Sequence, residues 1–149
     1  MKRTVLLTAL GASAGCENSA CDQPGKQVAL SLHHAELRDN DPRGDQLMFA
    51  TDPAVGDALF AEVGLTVPMP DLGDRLQLII YQGEMRDRYD LPIFTRADEV
   101  GGRLLLRVVE GSAAQFDTGF GLGLDTGPTS WILTVWTVDS QLNPVTCGD

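Results

Sequence analysis

Histidine and cysteine are the residues of this sequence best suited to metal binding or nucleophilic catalysis, and it contains two histidines and three cysteines. His33 and His34 are adjacent in a segment that alternates like a strand, so we expect their side chains to point to opposite faces of a sheet. They then cannot bind one ion together, and no third histidine is present to complete a zinc site. No serine lies in a G-x-S-x-G elbow, so the chain has no recognisable hydrolase motif.

A group of carboxylates in the stretch RDNDPRGD has a spacing suited to a hard cation. Asp39, Asp41 and Asp45 alternate with turn-forming residues, as in loops that surround calcium with oxygen ligands. Ala50 occupies the position of the terminal bidentate Glu, so the stretch is not an EF-hand. Two interpretations remain open, namely a calcium site in a β-sandwich loop and a solvated turn between two strands.

The triplet Asp-Thr-Gly occurs twice, at residues 117–119 and 125–127. The second copy resembles the catalytic loop of aspartic proteases, whose chemistry requires two facing loops so that two carboxylates share one proton. The copies here are eight residues apart, too close for each to belong to its own lobe. Only 22 residues follow the second copy, and they contain no sign of the further loop that a homodimeric protease needs. The triplets are better explained as turns.

A stretch of mixed charge at residues 84–90 contains a candidate binding group. Arg86, Arg88 and Tyr89 are of the residue types favoured at the centres of protein interfaces. The alternative is a charged hairpin that prevents pairing between sheet edges of different molecules. The close mixture of positive and negative charges favours the second interpretation, because it protects a strand edge from aggregation, and the first stays open.

The first residues of the chain have the pattern of an export signal. Two basic residues precede a short apolar run at residues 4–10, and small residues follow it. The run is too short to cross a bilayer as a helix, which takes about 20 residues. Ala14-Gly15-Cys16 resembles the lipobox of bacterial lipoproteins, in which the cysteine receives diacylglycerol before cleavage on its N-terminal side. The resemblance implies a signal peptide at residues 1–15 and lipidation of Cys16.

The lipobox pattern usually has Leu where this chain has Ser13, so ordinary secretion with cleavage after Ala14 stays open. The cysteine count favours lipidation, because a lipid on Cys16 leaves Cys21 and Cys147 to form a disulfide in an oxidising compartment. The alternative bridge between Cys16 and Cys21 would leave Cys147 as a free thiol. We therefore predict that Cys21 and Cys147 are bonded and that inter-strand loops at the far end of the domain face away from the membrane.

Charge limits the range of partners. Removal of residues 1–15 takes away two positive charges and no negative one, so the formal charge changes from −10 to −12. Such a surface repels phosphate backbones, and no basic stripe is present. Nucleic acid is therefore excluded as a main partner.

The dominant hydrophobic period along the chain is two, which predicts strands. The predicted strands are residues 28–33, 47–50, 65–67, 76–81, 92–96, 104–109 and 131–138. The last of these is apolar or β-branched on both faces, as expected for a strand buried on both sides. One short helix is predicted at residues 53–63, with Asp52 as N-cap and Gly64 after its end.

These patterns predict an all-β fold, a single antiparallel β-sandwich or barrel-like domain of six to eight strands with one short helix. We expect a polar tether at residues 16–25 and the domain at residues 26–149. The favoured function is a non-catalytic, lipid-anchored protein of the cell envelope that acts as a binding or structural accessory module toward a protein or glycan. It would be an outer-membrane lipoprotein facing the periplasm or the cell surface. The alternatives are a calcium-dependent extracellular module and a small exported hydrolase, and no cofactor other than calcium is expected.

Overall fold

The computed structural model describes residues 21–39, 45–84, 90–112 and 130–148. Within these ranges the chain forms eight strands and one helix. In chain order they are β1 Lys26–Val28, β2 Leu30–Asp39, β3 Gln46–Ala50, α1 Pro53–Glu62, β4 Gln77–Glu84, β5 Asp90–Val100, β6 Arg103–Ser112, β7 Ser130–Val138 and β8 Pro144–Gly148.

The strands form two four-stranded sheets packed as a sandwich. Sheet 1 has the order β1-β5-β6-β8, and sheet 2 has the order β2-β7-β4-β3. The all-β fold with one short helix is as predicted. The expectation of a purely antiparallel sandwich is wrong at one pair, because β8 runs parallel to β6. This pairing follows from the chain returning to the edge of sheet 1 after it has completed β7 in sheet 2.

The predicted strand at residues 28–33 is divided between the two sheets. β1 pairs with β5 in sheet 1, whereas β2 pairs with β7 in sheet 2, and only Ala29 separates them. The carbonyl oxygen of Ala29 accepts a hydrogen bond from the Asp139 backbone N–H at 3.0 Å. The chain therefore changes sheets at this point and closes one side of the sandwich.

The core between the sheets is centred on three aromatic side chains. Phe94 of sheet 1 packs on Tyr81 and Trp136 of sheet 2, with ring centroids 4.8 and 5.4 Å away. The Trp136 indole N–H donates to the Thr134 hydroxyl at 2.7 Å, so its polar group is satisfied inside the core. Apolar residues around this group are Leu47, Ile79, Ala97, Leu104, Leu106, Ile132 and Val138.

Sheet 2 is also buried on its other face, under α1 and the irregular segment at residues 65–76. Leu78, Ile80, Leu133 and Val135 of the sheet pack there against apolar residues of the covering layer. The prediction that residues 131–138 are buried on both faces is thus confirmed. The predicted strand at residues 65–67 is wrong, since this segment covers the sheet without pairing with it.

Helix α1 begins at the predicted residue, Pro53, and ends at Glu62, one residue before the predicted end. The Asp52 carboxylate accepts a hydrogen bond from the Ala54 backbone N–H at 2.8 Å. At the other end Gly64 has φ +72°, and the Leu65 N–H bonds the Phe60 carbonyl at 2.9 Å in a Schellman motif. At Gly56, inside the helix, an added Cβ would lie 2.5 Å from the Met69 sulfur, so glycine lets Met69 pack closely against the helix.

Candidate functional site

The first candidate site lies on the outer face of sheet 1, where residues 21–25 cross the sheet. We call these five residues the strap. The strap leads from Cys21 to β1 at one edge of sheet 1, and Cys21 is bonded to Cys147 of β8 at the opposite edge. The Cα atoms of the two cysteines are 5.8 Å apart. The predicted disulfide is therefore present, and it joins the two edges of one sheet across its face.

The strap lies directly on the sheet at Gly25. A Cβ built on Gly25 would lie 2.4 Å from a methyl carbon of Val100 and 2.7 Å from the Glu99 carbonyl oxygen. No side chain fits in that space without movement of the backbone. The second half of the region predicted as a polar tether therefore packs against the domain.

A buried carboxylate lies beside the strap. The Asp98 side chain is 0% exposed and receives hydrogen bonds from two arginines. The Arg96 Nε donates to Oδ1 at 2.9 Å, and the Arg107 Nε donates to Oδ2 at 3.0 Å. Arg107 also donates from Nη1 to the Cys21 carbonyl oxygen at 2.6 Å. The cluster of Asp98, Arg96 and Arg107, which we call the arginine clasp, thus holds the beginning of the strap against β5 and β6.

The arginine clasp determines the ionisation of Asp98. Burial by itself would raise the pKa of this carboxyl group, because it removes water from the charged form. Hydrogen bonds and the positive charges of Arg96 and Arg107 outweigh that effect and hold the pKa of Asp98 below its ordinary value of 3.8. The carboxylate is therefore ionised at neutral pH and belongs to a structural ion cluster.

The second candidate site is a row of polar side chains on the outer face of β2, at the edge of sheet 2. We call His33, His34, Glu36 and Arg38 the β2 polar row. His33 lies with Nε2 3.4 Å from the Pro68 carbonyl oxygen, and His34 Nε2 is 3.9 Å from a Glu36 carboxylate oxygen. The row therefore lies beside the layer that covers sheet 2.

The expectation that His33 and His34 point to opposite faces is wrong. The pairing of β2 with β7 shifts by one residue between Leu32 and His34, which is a β-bulge. His34 pairs with Val135, whose side chain is on the helix-covered face, and His33 approaches Pro68 in the layer over that face. Both histidines therefore lie on the same side of sheet 2.

Arg38 connects the edge strand to the end of the helix. Its Nη1 donates to the carbonyl oxygen of Val63, the C-cap residue of α1, and its Nε and Nη2 donate to Glu36 Oε1. A cation is favourable at this end of a helix because unpaired carbonyl groups give it partial negative charge. The row thus fixes the helix to β2.

We expect Arg38→Met to lower the free energy of unfolding by about 1–2 kcal/mol, because the Val63 carbonyl and the Glu36 carboxylate lose a charged donor. Arg75→Met is the matched control, since Arg75 is 78% exposed in its pair with Asp139 and such pairs contribute about 0–1 kcal/mol. Urea unfolding of both variants measures the difference. An equal loss in the two variants would contradict the role assigned to Arg38.

The carboxylates of the predicted calcium loop are only partly described. Asp39 ends β2, and Asp41 lies outside the described residues. Asp45 Oδ1 accepts a hydrogen bond from the Glu84 backbone N–H at 3.0 Å, so this carboxylate joins β3 to the end of β4. Within the described ranges, no group of three or more His, Cys, Asp or Glu residues is arranged to hold a metal ion.

Several other predicted site residues fall in parts of the chain that the structure does not describe. Cys16 and both Asp-Thr-Gly triplets lie there, as do Arg86, Arg88 and Tyr89. The strand ends that flank these undescribed parts lie at the same end of the sandwich. The strand pairing there joins Asp39 with Ser130, Glu84 with Trp131, and Asp90 with Ser112.

Sequence reasoning missed the arginine clasp. The stretch from Arg96 to Glu99 is mostly charged, and a turn signal follows it at Gly101 and Gly102. Those features predicted a strand end, but β5 continues to Val100. The sequence signal for the clasp was the period of two that places Arg96, Asp98 and Val100 on one face of a strand. Arg107 joins them because it pairs with Arg96 across β5 and β6.

The fold and these two sites define a β-sandwich domain closed by a disulfide-bonded strap. Comparisons of the chain with protein-family models, with curated proteins and with solved structures found no match. Among the described residues, no helix is both long enough and apolar enough to cross a membrane.

Proposed function

We propose that this chain is a non-catalytic, lipid-anchored protein of the cell envelope that acts as a binding or structural accessory module. Cys16 would carry the lipid and hold the protein to the membrane, with the domain exposed to the periplasm or the cell surface. Its partner would be a protein or a glycan and not a nucleic acid. The full chain has a formal charge of −10, and removal of the two basic residues in the signal peptide would give the mature chain a charge of −12, which repels phosphate backbones.

The observation that carries the proposal is the pairing of Cys21 with Cys147. With these two cysteines bonded, Cys16 is the one cysteine of the three without a partner in the chain. It follows Ala14-Gly15, and lipidation gives an unpaired cysteine in an exported protein a reason to be there. A disulfide also fits an oxidising compartment outside the cytoplasm.

Two further observations support a non-catalytic role. The buried Asp98 is held by two arginines that also fasten the strap, and Arg38 is bonded to the helix end and to Glu36. These polar groups connect structural elements, and this structural role explains why charged groups are buried there without assigning them a catalytic role.

The position of the disulfide also bears on which surface meets a partner. Cys21 lies on the outer face of sheet 1, so a tether that leaves from it would turn this face to the membrane. The opposite surface is the α1 layer with the β2 polar row beside it, and we propose that partners bind there. The sequence-based expectation was that loops at one end of the domain point away from the membrane. Cys147 instead pairs with Arg107 in the middle of β6, so the tether would leave from the face of the sheet and not from an end of the sandwich.

Metabolic labelling tests the proposal. A palmitate analogue supplied to intact cells should label the wild-type protein and leave Cys16→Ser unlabelled, and the variant should appear in the soluble fraction. Cys16 carries the proposed thioether, so its loss removes the attachment and leaves the domain folded. The double variant Cys21→Ser, Cys147→Ser is the control and should retain the label. Release of an unlabelled wild-type protein would contradict the proposal.

A further inference from the structure

We propose that the outer face of sheet 1 is a membrane-contact surface on which arginines bind the phosphate groups of anionic phospholipids. The inference rests on the lipid anchor proposed above and goes beyond it by naming the face, the residues and the ligand chemistry. We call this surface the arginine face and define it by Arg96, Arg103 and Arg107.

The tether length brings the arginine face close to the bilayer. Four residues separate Cys16 from Cys21, and the five residue-to-residue steps between the two cysteines reach at most about 18 Å in an extended chain. Cys21 is bonded to Cys147, which packs with Val100 and Leu105 on the outer face of sheet 1. The disulfide thus fixes the start of the domain to this face, and the short tether keeps the face near the headgroups.

The three arginines lie on the same face of the sheet. Arg96 pairs with Arg107 across β5 and β6, and Val100 pairs with Arg103. These residues alternate with Ala97 and Leu106, which point into the sandwich core. The Arg96 side chain is 46% exposed and that of Arg107 is 30% exposed, while Arg103 is exposed beside the turn between the strands.

The charge of this face contrasts with that of the chain. Among the side chains that the structure describes, two acids accompany the three arginines, Asp98 within the clasp and the exposed Asp22 on the strap, which gives these five groups a formal charge of +1. The whole sequence has 21 acidic residues against 11 basic ones. A positive face in an acidic protein is attracted to anionic headgroups, while the remaining surface is repelled by them.

Arginine suits this ligand because its planar guanidinium group forms paired hydrogen bonds with phosphate oxygens. Two nitrogens of Arg96 face Asp98 Oδ1, and the partial exposure of the side chain leaves donors that solvent or a phosphate can reach. Arg103 is exposed and close to the β5–β6 turn, so it can reach a headgroup without disturbing the clasp.

Chemical protection of arginine tests the inference. The full acylated protein is extracted from cells and reconstituted in vesicles of phosphatidylglycerol or of phosphatidylcholine, and phenylglyoxal modification is followed by peptide mass spectrometry. We expect Arg103 to react about fivefold more slowly on the anionic vesicles, the factor typical of one basic residue at an anionic surface. The protection should decrease at 1 M salt, where the Debye length is about 3 Å.

Arg75 is the internal control, because it is 78% exposed, precedes β4 of sheet 2 and pairs with Asp139 directly after β7 of the same sheet. It should react at the same rate on both kinds of vesicle. Equal rates at Arg103 on both vesicles, or equal slowing at Arg75 and Arg103, would overturn the inference alone. A chain that does not sediment with either vesicle would overturn the lipid anchor and the inference with it.

Discussion

Replacing both Cys21 and Cys147 with alanine is expected to lower the free energy of unfolding by about 4–5 kcal/mol. The bridge joins residues 126 positions apart, so its loss releases nearly the whole described chain in the unfolded state. The hydrogen bond from Arg107 to the backbone carbonyl of residue 21 does not involve the cysteine side chain, so it still ties the strap to the arginine clasp. Alanine is the substitution of choice because Cys147 is buried among apolar residues.

Urea unfolding of the oxidised wild type, the double variant and the reduced wild type measures this effect. Cys16→Ser is the matched control, and it should unfold like the wild type because Cys16 has no disulfide partner. Equal stability of the oxidised wild type and the double variant would mean that the bridge does not stabilise the domain. A stability loss in Cys16→Ser equal to that of the double variant would place Cys16 in the bridge.

Asp98→Asn is expected to lower the free energy of unfolding by about 2–4 kcal/mol at neutral pH. The substitution keeps the shape of the side chain and removes the charge that Arg96 and Arg107 share. Both arginines are partly exposed and regain some hydration, so the loss stays near the lower part of the range for a broken buried ion pair.

The lowered pKa of Asp98 predicts how the stability lost in Asp98→Asn depends on pH. The pKa of Asp98 is lower in the folded protein than its ordinary value of 3.8, so the folded state binds this proton less readily than the unfolded state. The stability from the charged form is fully present above pH 3.8 and is lost as the pH falls through the folded pKa. The difference between the wild type and Asp98→Asn should therefore shrink only in that acidic range.

Asp139→Asn is the control for loss of an ion pair at the surface. Asp139 pairs with the exposed Arg75, and an exposed pair of this kind contributes about 0–1 kcal/mol. Its loss should change the unfolding free energy by no more than that amount. A gap between the wild type and Asp98→Asn that stayed constant down to the lowest pH would contradict the ionic role of Asp98.

Local sequence patterns accounted for much of the fold. The capping residues of α1 form bonds within a few residues of each other, so Asp52 and Gly64 could be identified without tertiary information. The run at residues 131–138 lacks charged residues on either face, and that absence predicted a strand buried on both sides. Both features depend on short-range physics that a single sequence displays.

Other features depend on contacts between distant segments. β8 has only five residues and begins at Pro144, a residue type typical of turns, and it forms a strand because β6 supplies a pairing edge. The change of sheets at Ala29 and the bulge before His34 are likewise set by β5 and β7, which come later in the chain. No local alternation contains that information.

The disulfide was predictable, but the place where it lies was not. An odd cysteine count singled out Cys21 and Cys147, whereas the path of the strap depends on Gly25 fitting against Val100. The arginine clasp depends in turn on the strap, because Arg107 bonds the Cys21 carbonyl. The position of the strap and the contacts of the arginine clasp therefore could not be predicted from the sequence.

Peptide mapping of the mature protein under non-reducing conditions shows directly which cysteines are bonded and which one carries lipid. We expect a disulfide-linked pair of peptides containing Cys21 and Cys147, together with an N-terminal peptide that begins at Cys16 and carries the mass of a lipid. A peptide in which Cys16 and Cys21 are bonded, with Cys147 alkylated as a free thiol, would contradict both the strap and the lipid anchor.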